Sequence, residues 1–524
     1  MITGGGARAL AEDSPTTPAP FRTYTLDGDA DMLIALLLAA AALSPRAASP
    51  RDLVQTAVTR MGGTEALRRL DTLRLEWVGY VNLLEQSERP EGPWIPAIAR
   101  TSEVWDAPRG RWNETQQASV ADDDYTLRTI VDGEAAARRY GDRWLPAGSA
   151  DVDAAREWMS LSPQAVLREA LAAPDLRAEA SREFQGVPHR AVAWGSGERA
   201  RRLLVNAETG FPTAVEELRA YPESLYWQVW GDVATRVAWS YWDLLPGGLT
   251  YPRQWDVERG GRPWKALTIA KLEPGLPAQG DPFEIPADAR AISAERGRDS
   301  LDAPRLGDPN RPASELAPGV VWVPGSWGVA LVRQDDGVVV IEAPISAAYS
   351  ARVLDEAARR FPGIPVKAVI TTSDSWPHFG GIREYAAHGI PIYLLDHNVP
   401  QIRRALDSPH RFHPDALAKR PRAADLRPVS ARVVVGSGAN RIELHPVRGE
   451  TGERMMLAYI PNGRLLYASD LFQAGRGGPP EYAWEVAEVA RREKLDVATV
   501  FAMHSDPTPW DELLELVNAA SAPH

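Results

Sequence analysis

A strand, a polar loop and a helix follow one another directly within residues 366–389, and this segment constrains the fold more than any other. Residues 366–372 (V-K-A-V-I-T-T) form the short apolar run expected of a buried strand. Residues 381–388 have the composition of a short helix, and a glycine, a typical residue just after a helix end, follows them. The loop in between carries the titratable side chains of Asp374 and His378. The segment therefore predicts a strand–loop–helix unit whose loop holds residues able to do chemistry.

Short strand-like runs and hairpin signals surround this unit on both sides. Two turns have sequences expected of tight hairpins, D-G at 336–337 and P-N-G at 461–463. A helix is predicted over Ser346–Phe361. The alternation predicts a second domain of mixed helices and strands over residues 315–524. Its strand-like runs are Gly319–Val323, Trp327–Val332, Val338–Glu342, Pro391–Asp396, Met455–Ile460, Arg464–Asp470 and Thr499–His504.

The loop sequence resembles the metal-binding pattern of a known superfamily. Residues 370–381 read I-T-T-S-D-S-W-P-H-F-G-G, and the metallo-β-lactamase superfamily has T-H-x-H-x-D-H-x-G-G. The positions that agree are Thr372, His378, Gly380 and Gly381. The positions that differ are Ser373, Ser375 and Pro377, where the superfamily has His, His and Asp. The resemblance spans about residues 315–520 and implies an αββα sandwich, which belongs to the α+β fold class.

Carried over position by position, the resemblance implies one metal site where the superfamily has two. His378, Asp470 at the end of a strand-like run, and His504 at the end of the last run stand at ligand positions of the same metal. Two imidazoles and one carboxylate are a sufficient ligand set for a catalytic zinc ion. We therefore expect one divalent metal, zinc, on these three side chains.

The other metal position has lost its three histidines. Ser373, Ser375 and Glu450 stand there, and serine hydroxyl groups are weak zinc ligands beside imidazole. Glu450 remains a candidate oxygen donor to the retained metal. Asp374 is a candidate catalytic base, with capping of the following helix as the structural alternative.

The first half of the chain predicts a mainly antiparallel β domain over residues 50–290. Two helix-like stretches, Asp52–Arg60 and Thr64–Leu70, come first. This layout loosely resembles the periplasmic lipoprotein-carrier half-barrels, which implies apolar ligand binding. Residues 291–314, rich in Ala, Arg, Asp and Pro, are expected to be a linker. The alternating runs that predict strands include Leu73–Tyr80, Arg201–Val205 and Tyr226–Trp230.

Tryptophan is concentrated in this first half, since 13 of the 18 tryptophans lie between Trp77 and Trp264. Such large rings can line an apolar groove, or they can fill an ordinary core. Core packing is the commoner use of tryptophan in sheets, and the pattern favours it.

The overall composition excludes several kinds of site. The chain has 524 residues, more than one hydrophobic core usually organises, so two or more domains are expected. Its net charge of -12 argues against nucleic-acid binding, which needs clustered Lys and Arg. It contains no cysteine, so disulfides, thiolate metal sites and cysteine nucleophiles are excluded.

An apolar run at residues 32–43 indicates export. It is shorter than the roughly 20 residues of a membrane-spanning helix and suits the core of a signal peptide within a presequence of residues 1–49. Ala40 and Ala42 provide the small residues of a cleavage site, although acidic rather than basic residues precede the run. A periplasmic or secreted protein without a transmembrane anchor is expected. A buried N-terminal helix in a cytoplasmic protein is the alternative.

The predicted function is metal-assisted hydrolysis of an ester, lactone or amide in a small molecule, apolar in the simplest case. The alternative is a catalytically inactive protein of the same fold that binds a ligand or a partner, because several ligand positions are replaced. In either case the tryptophan-rich region could carry the ligand. No P-loop, dinucleotide-binding fingerprint or G-x-S-x-G elbow stands in a fitting context.

Overall fold

One antiparallel sheet of 13 strands occupies most of the first half of the chain. The computed structural model describes residues 49–86, 89–120, 123–296, 301, 304–473 and 480–520. The strands lie in the order β6-β5-β4-β3-β2-β1-β13-β12-β11-β10-β9-β8-β7. They are β1 (Thr72–Asn82), β2 (Pro96–Asp106), β3 (Arg111–Val120), β4 (Asp123–Asp132), β5 (Ala135–Tyr140), β6 (Arg143–Leu145), β7 (Arg177–Phe184), β8 (Val187–Trp194), β9 (Arg201–Asn206), β10 (Pro212–Ala220), β11 (Asp232–Leu245), β12 (Leu249–Arg259) and β13 (Arg262–Pro274).

Four helices pack against one face of this sheet, and two of them were not predicted. The predicted pair is α1 (Pro50–Arg60) and α2 (Gly63–Arg68), and Ser49 and Asp52 form a capping box at the start of α1. The additional pair is α3 (Ser149–Ser160) and α4 (Pro163–Ala172). Burial alternates strictly along the first part of β2, as expected of a sheet with one covered face. The main core therefore lies between these helices and the sheet.

Four indole groups converge on one buried carboxylate in this core. Glu103 is 1% exposed. Its Oε1 accepts a hydrogen bond from Trp77 Nε1 at 2.5 Å, and its Oε2 accepts from Trp105 at 2.6 Å, Trp112 at 3.1 Å and Trp158 at 3.2 Å. A buried carboxylate needs such donors to offset the loss of water. These tryptophans therefore serve the core, as the sequence pattern favours.

The second half of the chain has two further sheets. The first has the order β14-β15-β16-β17-β18-β19-β20 and the second β21-β22-β23-β24-β25-β26. The strands are β14 (Ser314–Ala317), β15 (Val320–Val323), β16 (Val329–Gln334), β17 (Gly337–Ile341), β18 (Val366–Ile370), β19 (Ile392–Leu395), β20 (Leu426–Val429), β21 (Val433–Val435), β22 (Ile442–Pro446), β23 (Met456–Ile460), β24 (Leu465–Tyr467), β25 (Thr499–Ala502) and β26 (Ser505–Pro509).

These two sheets face each other and are covered by helices on their outer faces. Along β17, Val339 and Ile341 pack with the second sheet, while Val338 and Val340 pack with the outer helices. The helices outside the first sheet include α6 (Ala347–Arg360), α7 (Ile382–His388), α8 (Val399–Asp407) and α9 (Ala416–Lys419), and those outside the second are α10 (Pro480–Glu493) and α11 (Trp510–Ala520). The result is the predicted αββα sandwich, and the predicted α+β fold class is confirmed.

Two local predictions were wrong. Tyr226–Trp230 was expected to be a strand, but it forms a turn and a short 3-10 helix, Gln228–Trp230, in which Val229 and Trp230 are buried against the sandwich. Residues 291–314 were expected to be a linker without regular periodicity, but α5 (Ala287–Arg296) extends into this segment. Ala289 of α5 packs against Ile130 and Ala137 of the first sheet, and this tertiary packing stabilises a helix that the sequence marks weakly.

The described residues belong to one compact unit, Ser49–His524. The domain boundaries at 50–290 and 315–524 stay a prediction. The predicted signal core at 32–43 lies outside the described residues. Within the described part, no helix has the length and apolar character needed to cross a membrane.

Candidate metal centre

Three side chains from three separate loops meet at one edge of the sandwich. His378 ends a short 3-10 helix after β18, Asp470 follows β24, and His504 lies between β25 and β26. One ligand atom from each residue can be chosen so that all lie within 4.8 Å of one another. His378 Nε2 is 3.4 Å from Asp470 Oδ2, and His504 Nε2 is 3.7 Å from Asp470 Oδ1. The structure thus brings together the three ligands expected from the sequence.

Two glycines allow the loop after His378 to approach α6. A Cβ atom on Gly380 would lie 2.2 Å from the carbonyl oxygen of Ile345, and one on Gly381 would lie 2.0 Å from Ser350 Oγ. Both distances are far below van der Waals contact, so only glycine fits at these two positions. The Gly-Gly pair therefore holds the loop of His378 close to the start of α6.

His504 is oriented by a backbone carbonyl group. Its Nδ1 lies 2.7 Å from the carbonyl oxygen of Ser326, which can only accept a hydrogen bond, so Nδ1 carries the proton. In the neutral ring, Nε2 then presents its lone pair on the side of Asp470. Metal-binding histidines typically donate the proton of their other ring nitrogen to a backbone carbonyl group or a carboxylate in this way.

His378 is buried beside several acidic groups. It is 1% exposed, and its Nε2 lies 3.4 Å from Asp470 Oδ2, at the long limit of a hydrogen bond. Burial alone would lower its pKa, but the charges of Asp470, Glu342 and Asp374 outweigh that effect and raise it. The surroundings thus favour a positive charge at this ring.

Asp470 is held in its ionised form. Burial would raise its pKa, but the charges of His378 and His504 and hydrogen bonding outweigh burial and lower the pKa to about 2. Gln473 Nε2 donates to Asp470 Oδ1 at 2.9 Å. A carboxylate that stays ionised is the form that a metal ion requires.

Glu342 is a site residue that the sequence reasoning missed. Its Oε2 lies 4.0 Å from His378 Nδ1, and its other oxygen accepts a hydrogen bond from Thr372. Burial raises the pKa of Glu342 to about 7, although the charge of His378 opposes the rise. Its φ of 82° lies in a region that non-glycine residues avoid, and such strain clusters at functional sites. The available signal was an acid directly after the apolar run V-V-V-I.

The two serines at the lost ligand positions make internal hydrogen bonds. Ser373 Oγ accepts from the backbone N–H of Ser375 at 3.1 Å, and Ser375 Oγ donates to the carbonyl oxygen of Glu85 at 3.3 Å. The Glu450 side chain is exposed, and it is not in the group formed by His378, Asp470 and His504. These positions therefore do not add ligands to that group.

The loop that carries Glu450 is fixed by another glutamate, which sequence reasoning also missed. Glu485 of α10 accepts hydrogen bonds from the backbone N–H groups of Thr451 at 2.9 Å and Gly452 at 2.7 Å. Glu485 is buried, so its carboxylate replaces water for these backbone donors.

Asp374 lies buried close to the three-residue group but outside it. Its Oδ2 has no hydrogen-bond partner, and its backbone oxygen accepts from Gln401 Nε2 at 2.8 Å. Burial raises the pKa of Asp374 to about 7, while the charges of Arg454 and His378 oppose the rise. The N-cap of α7 is Gly381, without a side-chain cap, so the alternative that Asp374 caps this helix is wrong.

Residues of the first half of the chain border the same loop. Trp376 makes edge-to-face contacts with Trp227 and Trp230, each with ring centroids 5.0 Å apart. Gln228 Nε2 donates to the carbonyl oxygens of Ile345 and, at 3.4 Å, of Gly380. The turn at Tyr226–Trp230 is thus shaped by the sandwich, and it supports the loop that carries His378.

Of the comparisons with known proteins, only the one with solved structures gives matches. No protein-family model matches the chain, and no curated protein matches it. Among solved structures, the chain is similar to a metallo-β-lactamase from Pontibacter korlensis, with 12% identity and a TM-score of 0.32 over 40% of this chain and 99% of that chain. The chain is also similar to a metallo-β-lactamase from Hirschia baltica, with 16% identity and a TM-score of 0.31 over 41% of this chain and 100% of that chain. A third similar structure is a metallo-β-lactamase from Erythrobacter litoralis, with 15% identity and a TM-score of 0.30 over 40% of this chain and 95% of that chain. All three are named for the superfamily that the motif around His378 resembles.

Proposed function

We propose that this protein is a metal-dependent hydrolase that cleaves an ester, lactone or amide in a small molecule at a one-metal site. The observation that carries the proposal is the meeting of His378, Asp470 and His504 from three distant parts of the sequence. Two imidazoles and a carboxylate suit zinc and leave a coordination place open. His378 fits a ligand role, because its buried ring nitrogens face two carboxylates, Asp470 at 3.4 Å and Glu342 at 4.0 Å.

The residues have distinct tasks in this proposal. His378, Asp470 and His504 would hold one divalent ion, which when bound would supply Lewis-acid polarisation of the scissile carbonyl group. Glu342 faces Nδ1 of His378 and would orient that ring. The Nδ1–H of His504 is held by the Ser326 carbonyl group, which fixes the other ring.

Asp374 is the proposed general base. Its carboxyl group has a pKa of about 7, so it can take up a proton from a water molecule near neutral pH. Its buried Oδ2 has no hydrogen-bond partner, so the oxygen that would accept the proton is available. The role requires that substrate and water reach this buried group.

The test is hydrolysis of a panel of chromogenic esters, lactones and anilides by protein loaded with zinc or manganese. We expect turnover that disappears in both His378→Ala and His504→Ala. His388→Ala is the matched control, because His388 is exposed on α7 and pairs with Glu384. Turnover that survives in both site variants would contradict the proposal.

A non-catalytic, ligand-binding protein of the same fold is the second candidate. The observation that favours it is the use of Ser373 and Ser375 in internal hydrogen bonds, which removes a second metal position. Metal binding without turnover of any substrate in the panel would favour this candidate. Export to the periplasm or the exterior is part of the proposal in either case, and it rests on the sequence at residues 32–43.

A further inference from the structure

A cleft of about 370 Å³ lies next to the loop that carries Asp374 and Trp376. Three segments line it: the β1–β2 connection with Glu91 and Trp94, the β12–β13 turn with Arg262, and α8 with Gln401 and Arg404. Gln401 connects the cleft to the site loop, because its Nε2 donates to the backbone oxygen of Asp374. None of the three candidate metal ligands lines this cleft.

Two arginines meet here without an acidic partner of their own. Arg262 Nε donates to the carbonyl oxygen of Pro90 at 3.1 Å, and Arg404 donates to the carbonyl oxygen of Gly260. Their guanidinium carbons lie 5.6 and 5.3 Å from the same ring centroid, that of Trp230. Within the described part of the chain, neither arginine forms an ion pair. Each also keeps N–H groups that these backbone contacts do not use.

The burial of Arg262 beside the exposed Arg404 makes a negative charge favourable in the cleft. Arg262 is only 9% exposed. Burial lowers the pKa of Arg262 to about 10, and the charge of Arg404 adds to the effect, while Glu91 opposes it. Two like charges in a poorly solvated place repel each other, and a bound anion would relieve both the repulsion and the loss of water.

The nearby acid does not fill this role. The Glu91 side chain is 65% exposed, and its Oε2 lies 3.5 Å from Arg454 Nη2 on the sandwich. Trp94 lines the cleft next to it and is half-buried, with its Nε1 3.4 Å from the carbonyl oxygen of Pro90. The cleft therefore offers a pair of guanidinium groups beside an aromatic wall.

We propose that Arg262 and Arg404 form a binding site for a small organic anion, whose carboxylate or phosphate group lies between the guanidinium groups and whose apolar body lies against Trp94. Guanidinium groups suit such oxyanions because their planar N–H pairs match two oxygen atoms. The site is separate from the candidate metal centre and does not depend on metal binding.

The experiment measures anion binding by calorimetry on the full chain after treatment with a chelator. Benzoate has a carboxylate and a flat apolar ring, whereas inorganic phosphate has a negative charge and no apolar group. We expect benzoate to bind more tightly than phosphate. Arg404→Gln and Arg262→Gln should each weaken benzoate binding about tenfold, the loss of one charge-assisted contact.

Three further variants make the result specific. Arg404→Lys keeps the charge and should retain most of the affinity, and Glu91→Gln should strengthen binding about threefold because a competing charge is removed. Arg403→Gln is the matched control, since Arg403 is the exposed neighbour on α8. The proposal is overturned if both glutamine variants at 262 and 404 bind benzoate as Arg403→Gln does. It is equally overturned if the wild type binds no benzoate up to about 10 mM.

Discussion

The hydroxyl group of Ser375 donates a hydrogen bond to the backbone carbonyl oxygen of Glu85, 3.3 Å away. Ser375 stands where the resembled motif has a metal ligand, and Glu85 belongs to the connection between β1 and β2 of the first sheet. A position lost to metal binding is therefore used to join the two halves of the chain. The next residue, Trp376, also joins the two halves, through edge-to-face contacts with Trp227 and Trp230.

Glu85→Gln should stabilise the protein above neutral pH. Burial raises the pKa of Glu85 from 4.5 to about 7, so the folded state keeps a proton that the unfolded chain releases. The wild type is therefore favoured below pH 4.5 and loses that stability as the pH rises towards 7. At pH 8 we expect the variant to be more stable by about 2 kcal/mol. Urea unfolding at pH 4.5 and pH 8 measures the difference.

The control for this prediction is Glu76→Gln, an exposed position on β1, the strand that precedes the connection with Glu85. The effect of Glu76→Gln at the two pH values is the reference for the effect of Glu85→Gln. A stability difference for Glu85→Gln that is the same at pH 4.5 and pH 8 would refute the protonated state of Glu85.

Glu103→Gln should destabilise the first sheet. The carboxylate accepts four indole N–H groups, and an amide offers one oxygen and adds two donors of its own. At least one buried indole then loses its partner, and we expect a loss of about 2–4 kcal/mol in the free energy of unfolding. Glu65→Gln, at an exposed position of α2, is the control, with an expected change below about 0.5 kcal/mol. Equal stability of the two variants would show that the four contacts are energetically unimportant.

Glu342→Gln should weaken metal binding without abolishing it. The carboxylate faces His378 Nδ1 at 4.0 Å, and loss of such an outer-shell group typically costs about 10–100-fold in metal affinity. Competition with a chromogenic chelator measures the affinity. An unchanged metal affinity would show that Glu342 does not contribute to the metal site.

Asp374→Asn should separate catalysis from metal binding. The residue lies outside the ligand group, so the variant should keep its metal, whereas loss of a general base lowers kcat by about 10²–10⁴-fold. In the wild type, kcat/KM should rise with pH through about 7, because the base must lose its proton first. A variant with full activity, or a wild-type profile that is flat from pH 5 to 9, would contradict the assigned role.

The local sequence pattern predicted many of the strands of the αββα sandwich. Runs such as Val338–Ile341 are buried on both faces and rich in β-branched residues, so the sequence alone marks them as strands. The P-N-G turn joins β23 and β24 as expected. The three candidate ligands were predicted from the resemblance to the superfamily motif, at positions that close or follow recognisable runs.

Features that depend on tertiary packing could not be predicted in the same way. Apolar and polar residues alternate in Tyr226–Trp230 as they do in a strand, yet this segment packs against Trp376. Trp376 lies almost 150 residues further along the chain, and no local sequence pattern indicates the contact. The contact between Glu342 and His378 depends on how β17 and β18 pair in parallel. Helix α3 was not predicted, although Val152, Ala155 and Met159 have helical spacing, because the segment lies among strand-like runs.

The number of metal ions per chain tests the central claim most directly. Elemental analysis of protein purified without chelator, and again after incubation with zinc, should give about one equivalent per chain for the single three-residue ligand set. His378→Ala and His504→Ala should each fall to near zero, while His388→Ala should match the wild type. Metal content below about 0.2 equivalents in the wild type, with no recovery on adding zinc, manganese or iron, would contradict the account.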